Sequence, residues 1–349
     1  MFEPLELAFN VKLSDDLKNN IRVSQKNDMY LYNYNRKFIV KRNHPILIKC
    51  RGLVIKEDGT ILNYPFDRFF NPYEKEASNI DWDSAVIWEK IDGSMISVFW
   101  NGKDWEITTR GSFYPNPNAE LDYAEKFKEL FDNFQMLKKD HCYIFELVSR
   151  ENRIVTWYDD DFVALIGVRN LNTFTEIRPY IIKKTAEILG VKSPKFYDAK
   201  NIEGCKKLFN TIPDDQEGFV VVDNNFNRIK IKQQTYLKMA NIKMLKKDDM
   251  LDYVRGLTEL DGELLQKDKK IMEEIELMRQ EWEELEYHII QTFKELKNNS
   301  TTRKEFALQA VKFPFKGFLF ALYDDKNIRD ISLKHKIFED WRFSVQLGY

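Results

Sequence analysis

The stretch Trp88-Glu89-Lys90-Ile91-Asp92-Gly93-Ser94, WEKIDGS, lies between the apolar runs Ser84–Ile87 (SAVI) and Met95–Trp100 (MISVFW). A lysine set between two β-type segments and followed by an acid, a glycine and a hydroxyl has an ordinary explanation, a hairpin turn with a solvated ammonium, because Asp-Gly is a common turn pair. The reading changes when other parts of the chain supply partners for that lysine.

Short β-type runs recur up to about residue 240: ILIKCRGLVI, AVIWEKI, MISVFW, WEITTR, CYIFELV, DFVALIGV, GFVVVD and NRIKIK. Helical patterns such as NAELDYAEKFKELFDNFQML and RPYIIKKTAEILG fall between them without strict alternation. That mixture predicts an α+β domain built on antiparallel sheets. From about Lys238 the texture turns helical, and Ile271, Ile275, Met278, Trp282, Leu285, Ile289 and Phe293 recur at three and four, as in a long amphipathic helix. Two domains are expected, 1–240 and an all-α 241–349.

Composition narrows the function classes. The formal net charge of −2 gives no long-range attraction to nucleic acid or membrane, so a polyanion must be met by a local basic site. Three cysteines, Cys50, Cys142 and Cys205, are far apart and form no C-x-x-C, against a disulfide framework or zinc site. With no basic leader and no long apolar run, a cytoplasmic, non-membrane protein is expected. No G-x-x-x-x-G-K-[ST] is present, and His44, His141, His288 and His335 share no motif.

Charge set in strand-like surroundings recurs at four more places. Arg51 and Gly52 head the run CRGLVI, and Glu146 sits inside FELV. Glu217-Gly218 opens QEGFVVV, and RIKIK places Lys230 and Lys232 on one strand face, about 6.6–7 Å apart, a spacing suited to neighbouring phosphates. Each has an ordinary explanation alone: an exposed edge for RIKIK, a salt-bridged carboxylate for either glutamate.

In this order, K-x-D-G-S, F-E-x-V, E-G-F-V-V and K-I-K resemble the covalent nucleotidyltransferase superfamily of ATP-dependent RNA ligases, DNA ligases and capping enzymes. The match is closer to the phage RNA ligase 1 family, the T4-type tRNA-repair ligases, through Cys50-Arg51-Gly52, Phe69-Phe70-Asn71, Lys90 to Ser94, Glu146-Leu147-Val148 and Asn152-Arg153-Ile154-Val155. The resemblance covers about residues 30–240. Arg68 and Arg110-Gly111-Ser112 stand where the family carries a lysine and K-G-S, keeping the charge but changing its geometry.

The resemblance implies an ATP-grasp-like ligase domain and a three-step reaction. Lys90 attacks ATP to give lysyl-AMP, AMP passes to an RNA 5′-phosphate, and a 3′-hydroxyl seals the strand. Lys90, Lys230, Lys232 and Arg51 would carry the chemistry; Glu89, Arg68, Arg110, Glu146, Glu217, Val220 and Tyr236 would complete the nucleotide site. Mg2+ or Mn2+ would involve Glu146 and Glu217, with Asp92 orienting the amine or a metal water and Glu259 near the metal's water shell. Because a charged lysine cannot attack, burial and the cationic neighbours are expected to lower the Lys90 pKa. The helical tail is expected to select a structured RNA such as broken tRNA, with the protein a monomer in the cytoplasm, the host's if phage-encoded. Two alternatives stand beside this: a non-catalytic RNA-binding protein on a transferase scaffold, and a DNA ligase or capping-type enzyme, whose usual β-barrel the helical tail disfavours.

Overall fold

A computed structural model of the chain describes residues 1–35, 44–115, 121–260, 262–266, 269–328 and 334–346. Among the described residues, twelve strands lie in the first two thirds: β1 (Ile21–Lys26), β2 (Met29–Tyr34), β3 (Arg51–Lys56), β4 (Ile61–Asn63), β5 (Val86–Glu89), β6 (Ser94–Trp100), β7 (Trp105–Thr109), β8 (His141–Val148), β9 (Phe162–Asn170), β10 (Phe196–Tyr197), β11 (Gly218–Val222) and β12 (Arg228–Lys232). They form three four-stranded sheets, ordered β1-β2-β3-β4, β10-β5-β11-β12 and β7-β6-β8-β9. Every pairing within the sheets is antiparallel. The α+β reading with antiparallel sheets therefore holds.

Local sequence chemistry sets the elements. Part of ILIKCRGLVI is not strand: Pro45–Lys49 is a short helix, because Pro45 occupies its first turn and the His44 ring accepts the Ile46 N–H. The run RPYIIKKTAEILG forms a helix over Pro179–Leu189, opened by its proline and closed by Gly190 in the left-handed region at φ 72°. Within NAELDYAEKFKELFDNFQML the helix is shorter than the pattern, Tyr123–Leu130, and the chain continues into a single 3₁₀ turn, Phe134–Met136. Phe127 and Phe131 still pack on Phe145 of β8, and Phe134 on both of them, with Phe127 and Phe145 edge-on at 5.0 Å. Packing of these rings decides the local path over helical periodicity. Residues 118–120 of that run lie outside the described residues.

The chain divides into two compact units, Met1–Leu237 and Lys238–Tyr349. In the second, the helix Lys269–Asn298 buries Ile271, Ile275, Met278, Trp282, Leu285 and Ile289 of the stripe read from the sequence, with Phe293 half-buried against the same core. These side chains share a core with Leu251, Phe306, Leu319 and Phe338 from other helices of that unit. No described helix is long and apolar enough to cross a membrane.

Candidate active site

Lys90 follows the end of β5, and its backbone N–H donates to the Gly218 carbonyl at 2.9 Å. That bond sets the lysine beside Glu217, the residue before β11. Lys90 Nζ meets Glu217 Oε2 at 2.5 Å, and Lys232 Nζ meets the other oxygen, Oε1, at 2.6 Å. Gly218 makes this arrangement possible: it lies at φ 129°, and a Cβ there would stand 2.1 Å from the Ile231 carbonyl oxygen. Gly93 answers a second close approach, since its Cβ would fall 2.5 Å from the Leu147 carbonyl oxygen. The glycines of E-G-F and K-I-D-G are thus packing requirements of the site.

A cleft of about 460 Å3 opens in front of Lys90. Trp88 and Val220 form one wall, from the sheet of β5 and β11, and Glu146 and Ile166 another, from β8 and β9. Arg51, Phe66, Phe69, Glu89 and Arg228 complete most of its rim. The mix of aromatic, aliphatic and charged groups suits a nucleotide. The Phe69-Phe70-Asn71 segment reaches the cleft because Lys230 N–H donates to the Phe70 carbonyl at 3.1 Å, an extension of the β12 edge. The Arg51 guanidinium lies 5.4 Å from the Phe69 ring, and its Nη1 meets Met95 Sδ at 3.2 Å.

The electrostatics differ from the sequence expectation at the nucleophile. Burial works to discharge Lys90, yet the Glu217 carboxylate at contact distance, with Glu146 and Asp92 behind it, outweighs burial and holds the amine above the ordinary lysine value. The resting Lys90 is therefore an ammonium. The lysine that burial does depress is Lys230, pushed down to about 8, with the nearby Lys232 and Lys90 charges adding to the effect. Glu217 is lowered: burial alone would raise it, but Lys90 and Lys232 hold it ionised. Glu146 faces the cleft with no hydrogen bond to its carboxylate among the described residues, and burial raises it to about 7.

Asp92 requires a correction. Instead of turning toward the amine or a metal, its Oδ2 accepts the Val155 and Thr156 N–H groups at 2.8 and 2.9 Å, and its Oδ1 accepts the Tyr236 hydroxyl at 2.7 Å. The carboxylate is 5% exposed and fully engaged. The chain leaves β5 before Asp92, so the strand alternation that would have put it beside Lys90 does not apply. Tyr236 is likewise buried against Asp92, and lines no part of the cleft.

Other expected residues divide in the same way. Val220 and Glu89 line the cleft, and Glu89 Oε2 accepts the Lys195 N–H at 3.3 Å. Arg68 and Arg110 are not among the lining residues; both guanidiniums lie against Tyr34, at 4.5 and 5.7 Å, and Arg68 also against Phe70 at 4.9 Å. Glu259 is exposed in the second unit and lines no part of the cleft. Among the described residues no three His, Cys, Asp or Glu side chains converge as a metal cage. A Mg2+-type site needs none, since such an ion keeps several waters and takes one or two carboxylates. Glu146 and Glu217, both acting electrostatically on Lys90, fit that donor set.

Sequence reading missed Trp88, Phe66, Ile166, Pro194 and Arg228 as cleft residues. Arg228 carried a signal, because it shares the strand face of Lys230 and Lys232 by alternation. It is buried in an ion triad, with Glu176 bridging Arg228 at 2.7 Å and Arg169 at 2.8 Å, and its guanidinium lies 4.2 Å from the Phe66 ring.

Residues 49–236, more than half of the 349, match the RNA ligase family model. The chain belongs to the RNA ligase family. An RNA ligase of Rhodothermus phage RM378 is 24% identical over 386 aligned positions, covering 88% of this chain and 87% of the phage protein. A protein of Autographa californica nuclear polyhedrosis virus, named as a bifunctional polynucleotide kinase/RNA ligase, is 30% identical over 254 positions. That alignment takes in 65% of this chain but spans only 35% of the viral protein. The structure of an archaeal ATP-dependent RNA ligase superposes with a TM-score of 0.52 at 15% identity, covering 89% of each chain, which places this RNA ligase in the same fold.

Proposed function

We propose that the chain is an ATP-dependent RNA ligase that joins 5′-phosphate and 3′-hydroxyl RNA ends through lysyl-AMP and RNA-adenylate. The observation that carries this is Lys90 itself, lining the cleft and paired to Glu217, with Lys230, Lys232, Glu146 and Arg51 around it. In the first step Lys90 Nζ forms a bond to the α-phosphorus of ATP as the bond to pyrophosphate breaks. In the second, an RNA 5′-phosphate oxygen takes AMP from the lysine. In the third, a 3′-hydroxyl attacks that phosphate and AMP leaves.

The geometry supports each role. Glu217 ion-pairs Lys90 and Lys232 together, so the free site stores the nucleophile in its charged form. When the Glu217 carboxylate turns to another positive partner, burial and the Lys230 and Lys232 charges favour the neutral amine that can attack. Lys230, Lys232 and Arg51 stabilise charge on the phosphates as pyrophosphate departs. Trp88, Val220 and Phe66 offer apolar surface to the base. Glu146 and Glu217 would hold Mg2+ or Mn2+, which when bound supplies charge neutralisation at the phosphates.

The helical second unit is assigned to RNA choice, favouring a structured RNA such as broken tRNA, and the protein to a monomer. Three buried free cysteines and a reaction that uses ATP and RNA support a cytoplasmic setting. End-joining with ATP on 5′-phosphorylated single strands, nicked duplexes and broken tRNA tests the assignment. Sealing of an RNA substrate is expected; sealing confined to nicked DNA would instead make the chain a DNA ligase, and no sealing of any would defeat the proposal.

A further inference from the structure

Beside the nucleotide cleft lies a second hollow, of about 290 Å3, whose lining includes Asp92, Val148, Arg150, Asn152, Arg153 and Trp157. It shares its framework with the catalytic lysine. Asp92 is two residues beyond Lys90, and Asn152 Nδ2 reaches Ser94 Oγ at 3.4 Å. Along β8, Glu146 lines the cleft while Val148, two residues on and on the same strand face, lines the hollow.

Trp157 is the unusual member. Its indole is 60% exposed, yet the backbone beneath it is fixed by two acids from distant parts of the chain. Asp92 holds the Val155 and Thr156 N–H groups. Asp215 Oδ2 accepts the Trp157 N–H at 2.7 Å, and the Asp215 carbonyl accepts the Thr156 hydroxyl at 2.7 Å. Three consecutive N–H groups are thus pinned. The Arg153 guanidinium lies 5.0 Å from the Trp157 ring and is itself held by Nε donating to the Val155 carbonyl at 3.0 Å. Rigid backbone under an exposed indole lowers the ordering cost of a contact made there.

We infer that Trp157, backed by Arg153, is the platform on which a base at the RNA strand end stacks while its phosphate is presented to Lys90. This rests on the ligase reading above. A base stacks on an aromatic face without sequence readout, and a neighbouring guanidinium adds a cation–π contribution. The surroundings favour stacking over charge as the source of affinity. Arg150 is paired with Asp161, which Lys126 also holds, and Asp159 and Asp160 follow nearby in the chain.

The test compares wild type, Trp157→Ala and Trp157→Phe in the full chain. Lysyl-AMP formation from ATP alone should stay within about twofold in both variants. Affinity for a fluorescein-labelled 5′-phosphorylated oligoribonucleotide, read by anisotropy, and KM for sealing a pre-adenylylated RNA should each worsen roughly ten- to a hundredfold in Trp157→Ala. Trp157→Phe should recover most of that loss, and the loss should change little between low and moderate salt. Wild-type RNA affinity in Trp157→Ala, or failure of Trp157→Ala to form lysyl-AMP, would overturn the platform. A wild-type protein that binds the oligoribonucleotide through Trp157 but never takes AMP would keep the platform and overturn the ligase reading.

Discussion

Replacing Asp92 with alanine separates its observed role from the one its motif suggested. The carboxylate accepts three hydrogen bonds, from the N–H groups of Val155 and Thr156 and from the Tyr236 hydroxyl, and all four residues are buried. Alanine leaves three buried donors unpaired, each costing roughly 1–3 kcal/mol, so with partial relaxation the loss is about 3–5 kcal/mol. For a unit of this size, that lowers Tm by about 10 °C. Asp92→Asn should cost only about 1 kcal/mol, because the amide oxygen can serve the two N–H groups while its NH2 donates to the Tyr236 hydroxyl, which also accepts. Tyr236→Phe should cost a similar amount, and the Asp92→Ala/Tyr236→Phe pair should be non-additive by about 1 kcal/mol. Calorimetry or urea unfolding of the full chain reads all four proteins. An Asp92→Ala protein within about 0.5 kcal/mol of wild type would refute the anchor, because a buried carboxylate facing a metal would have little to lose in the free protein.

Three further predictions concern the site. Lys90→Ala and Lys90→Arg should form no AMP adduct, since arginine stays protonated, while Lys90→Ala should still seal pre-adenylylated RNA measurably. Alanine at Lys230 or Lys232 should slow adenylylation by orders of magnitude, whereas Ile231→Val, at a buried position of the same strand, should cost about 1 kcal/mol of stability and little rate; equal, mild effects at all three would make the strand an ordinary edge. Glu146, raised from 4.5 to about 7 chiefly by burial, binds its proton more tightly when folded, so its contribution to stability is full below pH 4.5 and is lost as pH rises through about 7. Unfolding of Glu146→Gln across that window should show a shallower decline than wild type, and an identical decline would remove Glu146 as its source.

How far the site could be read in advance depended on where each partner lies. Glu217, Lys230 and Lys232 were legible together because E-G opens one strand, K-I-K lies on the next, and two-residue alternation sends both lysines to one side. The stripe from Ile271 to Ile289 was legible for the corresponding reason in a helix. Asp92 was not, because its direction is set by Val155, Thr156 and Tyr236, which lie 63, 64 and 144 residues away. The charge state of Lys90 escaped for a related reason. Cationic neighbours were expected around it, but the 2.5 Å contact to Glu217 outweighs the burial penalty, and no sequence pattern fixes that distance. Arg228 had the right alternation, yet its partner Glu176 is an isolated bridge residue paired with Arg169, outside any named strand.

The most direct measurement is the site of covalent attachment. The full-length protein, incubated with ATP labelled at the α-phosphate and a divalent cation, should carry one AMP, and peptide mapping should place it on Lys90. Addition of 5′-phosphorylated RNA should then discharge the label from protein to RNA. Label on Lys230, the lysine whose pKa burial depresses, or a protein that acquires no AMP at all, would contradict the account.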